Sequence, residues 1–317
     1  MDWWQITLFV LMILLVANYT YRVMQSRLGN HAIPLDIEGF ETTNGFQEEV
    51  YDEFYATVYN KIFQHDNLLQ AEAAVLMTEW TRDKDAEFVK QMRVLDVCCG
   101  TGVATCAFAQ KGVDRAVGLD KSVAMLNYAK DIVEPATTLT GEQLQVIEWR
   151  NADAYAPMAA QVGEFTHACL LYFSVYYFKD LDTLFKNLAM WCKPGGGLAI
   201  EVVNKHKFEP VPDVANPWIA VSPQKHTKDR ITTSKAVFDK FEYATEFELF
   251  DPRAEFRETF IFKDGKVRKQ KHSLYMPSIE KIIHTAVEMG WRYDKFMDLQ
   301  FTGFNYGYML FFTRVVE

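Results

Sequence analysis

Val94-Leu95-Asp96-Val97-Cys98-Cys99-Gly100-Thr101-Gly102 is the stretch of sequence that decides the fold. An apolar run ends in an acidic residue and a glycine-containing turn, and residues 103–110 then have the pattern of a helix. A strand, a tight loop and a helix N-terminus in this order open a nucleotide-binding α/β unit. Gly100 and Gly102 would let a ligand approach the backbone closely and leave N–H groups free to meet it.

A second segment, residues 116–126, repeats this strand-to-helix pattern. Its short apolar strand ends at Asp120, and a helix begins near Ser122. An acidic side chain at the end of the second strand can accept hydrogen bonds from both hydroxyls of a ribose. Capping of the following helix is the alternative role for Asp120.

Two more segments continue the alternation. Residues 144–149 have a strand-like pattern and are followed by Asn151-Ala152-Asp153-Ala154, where a carboxylate can accept a hydrogen bond from an exocyclic amine such as that of adenine. Residues 165–173, 180–192, 193–197 and 198–203 then indicate a strand, a helix, a glycine-rich turn and a strand.

Together these segments resemble the class I S-adenosylmethionine (SAM)-dependent methyltransferases of the type 11/25 kind, closely over about residues 51–203. The Cys98-Cys99 pair also resembles some prenyl-quinone methyltransferases. The resemblance implies a Rossmann-like α/β fold with a seven-stranded sheet, and S-adenosyl-L-methionine as cofactor. The loop would hold the methionine part, Asp120 the ribose and Asp153 the adenine. The residues expected around the cofactor are Asp96, Cys98, Gly100, Thr101, Gly102, Asp120, Lys121, Met125, Ala152, Asp153, Ala154 and Leu171.

Cys98 is a departure from the family, which commonly has glycine there, so we expect an unstrained backbone at Cys98. A dehydrogenase and a domain that no longer binds a cofactor are the two alternative interpretations. A dehydrogenase would have a third glycine where this chain has Thr105. A domain that has lost its cofactor stays open, because a fold does not guarantee a function.

Composition limits the partners. The net charge is −9 and the isoelectric point about 5.4, which argues against a nucleic-acid partner. The seven histidines are scattered and no Cys/His spacing is typical of zinc, so no metal is expected. The five cysteines form no spaced disulfide framework and are expected to be reduced.

Residues 1–28 carry the second strong signal. Residues 3–21 are mostly apolar and as a helix would span about 28 Å at ~1.5 Å per residue. Aromatic residues stand at both ends, as in a membrane belt, while the basic start and cleavage site of a signal peptide are missing. Arg22 and Arg27 then predict a single-pass membrane protein with its catalytic domain in the cytosol. Residues 29–46 would be a linker and residues 47–317 the methyltransferase domain.

Helices and an insertion complete the predicted domain. Residues 47–62 are helical in pattern, with Tyr51, Tyr55 and Tyr59 on one face that either lies over the cofactor or packs in the core. Residues 204–275 depart from the alternation, and residues 236–274 predict antiparallel strands, with a hairpin at Asp264-Gly265, that cover the substrate pocket. A helix at 278–289 and strands at 293–299 and 308–315, the sixth and seventh, follow.

Methyl transfer from a sulfonium needs alignment, and it needs a base only if the nucleophile must lose a proton. Tyr172, Ser174 and Tyr176 follow the fourth strand and are candidates to border the pocket. His206 and Glu201 are the candidate general bases, and His167 is interpreted as structural. We expect a small or lipid-like acceptor; a membrane-associated protein substrate and a non-catalytic tethered scaffold remain the alternatives.

Overall fold

The described part of the chain comprises residues 12, 50–63, 65–208, 232–302 and 306–315 of a computed structural model. Apart from Met12, the predicted membrane segment at residues 3–21 lies outside these residues, as does the predicted linker at 29–46. Within the described ranges, no helix is long and apolar enough to cross a membrane.

Strands and helices alternate through the first two thirds of the chain. Among residues 53–92, three helices precede the first strand: α1 (Glu53–Phe63), α2 (His65–Trp80) and α3 (Ala86–Val89). The alternating part consists of β1 (Arg93–Val97), α4 (Val103–Gln110), β2 (Arg115–Asp120), α5 (Val123–Tyr128), α6 (Glu134–Ala136), α7 (Gly141–Gln145), β3 (Ile147–Asn151), β4 (Phe165–Leu170), α8 (Leu181–Trp191) and β5 (Cys192–Val203).

The strands form a seven-stranded mixed sheet, as predicted. Its order is β10-β11-β5-β4-β1-β2-β3, where β10 (Trp291–Asp298) follows α9 (Ile279–Glu288) and β11 is Gly307–Arg314. β1 to β5 are parallel, and β11 pairs antiparallel with both β5 and β10. The order reverses at β1, so the carboxyl ends of β1, β2 and β4 meet at one edge, where open α/β sheets bind ligands.

A second sheet confirms the predicted antiparallel strands. Its order is β6 (Thr233–Val237), β7 (Phe241–Phe250), β8 (Arg253–Phe262) and β9 (Val267–Tyr275), all antiparallel. The Asp264-Gly265 turn joins β8 to β9 as predicted. Gly265 has φ +87°, and the Asp264 carboxylate accepts a hydrogen bond from the N–H of Lys266.

α1 begins at Glu53, where the side chain of Asp52 accepts the N–H of Tyr55 and caps the helix. Residues 47–49 of the helix predicted at 47–62 lie outside the described residues. One element start differs from the prediction for a local reason. The strand predicted from residue 144 begins at Ile147. A capping box between Thr140 and Gln143 makes the preceding residues helical.

Candidate active site

The glycine loop between β1 and α4 is built from left-handed backbone. Cys98, Gly100 and Gly102 have φ values of +58°, +54° and +77°. The expectation of an unstrained backbone at Cys98 is therefore wrong, since a side chain at positive φ costs roughly 1–2 kcal/mol. The loop keeps this shape because the N–H of Cys99 bonds the carbonyl of Leu119 and the N–H of Gly102 bonds that of Cys99.

The two glycines of the loop serve different purposes. A Cβ built on Gly100 would meet nothing within 4 Å, so its open side is where a ligand could approach. A Cβ on Gly102 would lie 2.3 Å from the ring of Trp149, which also lies against Gly118. Gly102 is thus required by Trp149, and the predicted close approach of a ligand is left to Gly100.

Asp120 lies at the end of β2 with its carboxylate fixed by the backbone. Its oxygens accept the N–H groups of Gly100 and Ser122, each at 2.8 Å. Burial raises the pKa of Asp120, and the hydrogen bonds from Ser122, Gly100 and Lys121 oppose the rise. The remaining lone pairs suit the two hydroxyls of a ribose.

Asp153, at the end of β3, is half-exposed near the same edge. It accepts the N–H of Tyr155 at 2.8 Å and pairs with Lys121 at 3.7 Å. The Thr101 hydroxyl, by contrast, donates to Asn60 of α1 at 2.7 Å.

Several residues predicted around the cofactor are buried in the protein. Asp96 is 3% exposed and accepts the hydroxyl of Thr105 at 2.7 Å, which ties the loop to α4. Burial raises the pKa of Asp96 to about 7. The side chains of Met125, Ala154 and Leu171 are also buried, whereas that of Ala152 is half-buried. Asp96 therefore stabilises the loop by joining the strand before it to the helix after it. A contact between any of these four side chains and a cofactor stays a prediction.

An aromatic pocket lies beside the loop. Two hydrogen bonds connect them: the Thr101 hydroxyl in the loop donates to Asn60 of α1, and the Ser122 hydroxyl, two residues after Asp120, donates to the carbonyl of Tyr51 at 2.6 Å. The three tyrosines predicted to share a face all line this pocket, together with the turn after β4 and the second sheet. The lining residues are Tyr51, Tyr55, Tyr59, Phe63, Tyr172, Phe173, Tyr176, Tyr177, Phe208, Phe247, Phe256, His272, Leu274 and Met276.

Of the residues predicted to border the methyl acceptor, some line the pocket and others do not. Tyr172 and Tyr176 line the pocket, but the Tyr176 hydroxyl is bonded to the backbone of Val203. Ser174 is buried and absent from the lining, and His206 is exposed on the loop after β5. The structure does not bring Ser174 or His206 into the pocket.

The other two predicted residues lie in the core. Glu201 is fully buried under the turn after β4 and accepts the N–H of Tyr172. His167 packs against Trp80, with ring centroids 4.7 Å apart, and burial lowers its pKa to about 3. The structural interpretation of His167 agrees with this packing.

Sequence reasoning missed His272 and Glu258. In β8, Phe256, Glu258 and Phe260 point to one face, and the first two stand opposite His272 and Gln270 of β9. The sequence signal was an acidic residue, Glu258, at a position where the alternation of the strand predicts an apolar one. Burying a charged side chain is costly in free energy unless it has hydrogen-bond partners. Both residues are buried, and His272 lines the pocket.

The comparison with known families decides the class of this domain. Residues 94–196, which run from β1 into β5, match the family model of a methyltransferase domain. Residues 94–196 are a methyltransferase domain by this match, which confirms the predicted family. The predicted cofactor, SAM, is the one used by the SAM-dependent methyltransferases whose solved structures share this fold. A Bacillus subtilis relative named as a methyltransferase, YqeM, is 27% identical over 160 residues, covering 50% of this chain and 57% of the relative. The chain thus spans little more than half the length of that curated relative.

Solved structures share the fold of this methyltransferase domain. The CcbJ methyltransferase of Streptomyces caelestis has a TM-score of 0.60 at 12% identity, covering 86% of this chain and 100% of its own. A SAM-dependent methyltransferase of Clostridium acetobutylicum has a TM-score of 0.59 at 15% identity, covering 83% and 98%. SAM-bound CalS10 of Micromonospora echinaspora, an amino pentose methyltransferase, has a TM-score of 0.52 at 18% identity, covering 78% and 92%. At these identities the likeness concerns the fold.

Proposed function

We propose that this chain transfers the methyl group of SAM to a small or lipid-like, largely apolar acceptor. The observation that carries the proposal is the aromatic pocket lying directly beside the glycine loop and Asp120. One short segment, residues 51–60, contacts both the loop and the pocket. When bound, SAM supplies a methyl group already activated by the positive charge on sulfur.

The residues at the edge of the sheet fit SAM. The open side of Gly100 leaves room for the ligand against the loop, and Asp120 offers fixed acceptors for the ribose. Asp153 would accept the exocyclic amine of the adenine. Tyrosine and phenylalanine rings around the pocket would exclude water from the reaction, which favours alignment of the acceptor.

The pocket favours a small molecule over a protein substrate. Its walls come from α1, from the turn after β4 and from the second sheet, and its cavity volume is about 50 Å³. CalS10, which shares the fold, is an amino pentose methyltransferase, so its acceptor is a small molecule. A protein methyltransferase would need a groove open to a polypeptide.

Calorimetric titration with SAM tests the cofactor half of the proposal. We expect Asp120→Ala to weaken SAM binding about tenfold to a hundredfold, because a charge-assisted hydrogen-bond acceptor is lost. Asp153→Ala should weaken it less, since a single adenine contact is lost. Asp114→Ala, which removes an exposed acid before β2, is the control, and melting temperatures check folding. Unchanged affinity in Asp120→Ala contradicts the assignment.

We also propose that residues 3–21 anchor the protein in a membrane, with the catalytic domain in the cytosol. The support is the length of the apolar run, its aromatic ends and the following Arg22 and Arg27. Carbonate extraction should leave the full chain in the membrane fraction, and N-terminal sequencing should find residue 1 or 2. A soluble product that begins near residue 19 would identify a cleaved signal.

A further inference from the structure

A buried carboxylate organises the wall of the pocket that the second sheet provides. Glu258 of β8 is 1% exposed and accepts hydrogen bonds from four side chains. The hydroxyl of Tyr55 lies at 2.8 and 2.9 Å from its oxygens, Gln270 Nε2 at 2.6 Å, and the Tyr243 hydroxyl bonds it too. The fourth partner is His272, with Nε2 at 2.6 Å.

His272 connects this carboxylate to the pocket. Its other ring nitrogen, Nδ1, lies 2.9 Å from the hydroxyl of Tyr177, in the turn after β4. That hydroxyl lies 2.7 Å from the hydroxyl of Tyr51. Glu258, His272, Tyr177 and Tyr51 thus form one hydrogen-bonded chain, whose last three members line the pocket beside the glycine loop.

Glu258 is the ionised partner of His272. Burial alone would raise the pKa of Glu258, but its interaction with His272 and the hydrogen bonds from His272, Tyr243 and Gln270 lower it below its ordinary value. The carboxylate is therefore ionised and faces the imidazole. Arg268, a cation on the same strand as His272, bonds to Asp52 and Gln270.

The tyrosines around His272 cannot replace it as a base. Burial raises the pKa of Tyr51, Tyr55 and Tyr177 well above the ordinary tyrosine value. The pKa values of Tyr59, Tyr172 and Tyr243 are raised for the same main reason. These hydroxyls can pass a proton along but do not ionise near neutral pH. Of the described residues that line the pocket, His272 is the one with an imidazole, whose ring nitrogen can accept a proton.

We propose that His272 is the proton acceptor of the methyl-transfer site, reached through the Tyr177 hydroxyl, and that the methyl acceptor is a neutral, apolar molecule with a hydroxyl group. The proposal rests on the function proposed above. As the acceptor oxygen gains the methyl group, the C–S electron pair stays on sulfur. The acceptor's proton moves to the oxygen of Tyr177, whose own proton moves to Nδ1 of His272. Glu258 acts as the positioning residue that holds Nε2–H and stabilises the imidazolium.

Two probes that differ in acidity test the proton transfer. Phenol needs a base to lose its proton, whereas thiophenol ionises near neutral pH by itself. With methyl-labelled SAM we expect His272→Gln and Tyr177→Phe to lower transfer to phenol about a hundredfold or more, and to change transfer to thiophenol by less than about fivefold. His284→Gln and Tyr293→Phe, which lie outside the pocket, are the matched controls.

Two readouts do not depend on turnover. SAM affinity by calorimetry should stay within about twofold in both variants, because the hydrogen bonds of the two side chains go to Tyr51, to each other and to Glu258, and not to Asp120 or the glycine loop. In ¹⁵N NMR of histidine-labelled protein, Tyr177→Phe should shift the Nδ1 signal of His272, assigned with His272→Gln, while Tyr293→Phe should not. Tyr177→Phe leaves the bond between Glu258 and His272 intact, so it tests the chain of hydrogen bonds even if His272→Gln misfolds.

The outcomes separate the two proposals. Wild-type protein that binds no SAM refutes the proposed function. Wild-type protein that binds SAM but methylates neither probe overturns the assignment of the acceptor. Equal losses for phenol and thiophenol, or an Nδ1 signal indifferent to Tyr177→Phe, overturn the role of His272 and leave the Glu258 cluster as a structural tie.

Discussion

Glu72 of α2 and Glu201 of β5 form a buried pair of carboxyl groups. Both are fully buried, and both oxygens of Glu72 and Oε1 of Glu201 lack a hydrogen-bond donor among the described residues. Burial and the charge of Glu201 raise the pKa of Glu72, and burial raises the pKa of Glu201 against the opposing bond from Tyr172 N–H. Two like charges cannot share this site, so at neutral pH the pair retains a proton.

We expect this pair to lower stability as the pH rises. The native state holds protons that the unfolded state releases above the ordinary glutamate pKa, so the free energy of unfolding falls with pH from about 4.5 up to the raised native values. Glu72→Gln removes that penalty and should stabilise the protein by about 1–3 kcal/mol at pH 8, and by much less at pH 5. Urea unfolding at the two pH values measures the difference.

Glu142→Gln, which alters an exposed carboxyl, is the control for the pH experiment. It should change the free energy of unfolding equally at both pH values. An equal effect of Glu72→Gln at pH 5 and pH 8 would mean that the pair is ionised without cost.

At the scale of elements, Trp149 joins β3 to the start of α4. Its ring fills the space that side chains at Gly102 and Gly118 would need, and its Nε1 donates to Glu134 at 2.7 Å. The aromatic ring thus sets how closely the third strand approaches the glycine loop. Sequence spacing alone suggested a ligand as the reason for Gly102, because it does not reveal which neighbour occupies a glycine's empty side.

Gly102→Ala should therefore lower the free energy of unfolding by more than backbone strain alone would. We expect a loss of about 2–4 kcal/mol, from positive φ together with overlap on Trp149. Gly112→Ala is the matched control, since Gly112 has φ +82° and an added Cβ there would meet nothing within 4 Å. It should cost about 1–2 kcal/mol. Denaturant unfolding measures the free energy of unfolding of both variants. Adding Trp149→Leu to Gly102→Ala should recover part of the extra loss. Equal losses for Gly102→Ala and Gly112→Ala would contradict the packing role of Trp149.

The local elements were predictable because each carries its own signal. The strand, loop and helix from residue 94 onward, Asp120 at a strand end and the Asp264-Gly265 turn depend on neighbours within a few residues. The partnership of Glu258 and His272 with Tyr55 and Tyr177 depends on strand register and on where α1 lies, which no local pattern specifies. The backbone prediction at Cys98 was wrong for a related reason. Cysteine occurs in many backbone conformations, and here the hydrogen bonds of the loop impose the left-handed one.

At the scale of the whole molecule, α1 is tied to the second sheet by a buried cation. Arg268 of β9 is 2% exposed and bonds the carboxylate of Asp52 at 2.6 Å, the carbonyl of Val50 at 3.2 Å and Gln270 at 2.8 Å. Its guanidinium also lies 4.9 Å from the ring centre of Phe54. The helix that contacts the glycine loop is in this way held by the insertion.

Asp52→Asn should weaken this tie while keeping the helix cap, because asparagine also caps well. We expect a loss of about 1–2 kcal/mol in the free energy of unfolding, less than for a fully buried pair because solvent reaches the Asp52 carboxylate. Glu242→Gln, which breaks the exposed pair between Lys235 and Glu242, should cost under ~1 kcal/mol. If the two losses are equal, Arg268 does not depend on Asp52.

The bond between Tyr55 and Glu258 spans 203 residues, whereas Gly100 and Asp120 are 20 apart. During synthesis on the ribosome, the loop and its acidic partner emerge almost together, but the tyrosine face of α1 must wait for nearly the whole chain. A nascent chain that ends after β5 would already hold the elements around Asp120, yet expose Tyr55 and Phe54 to the surroundings. The late arrival of the insertion leaves this helix without its packing partners for most of the time that the protein is being made.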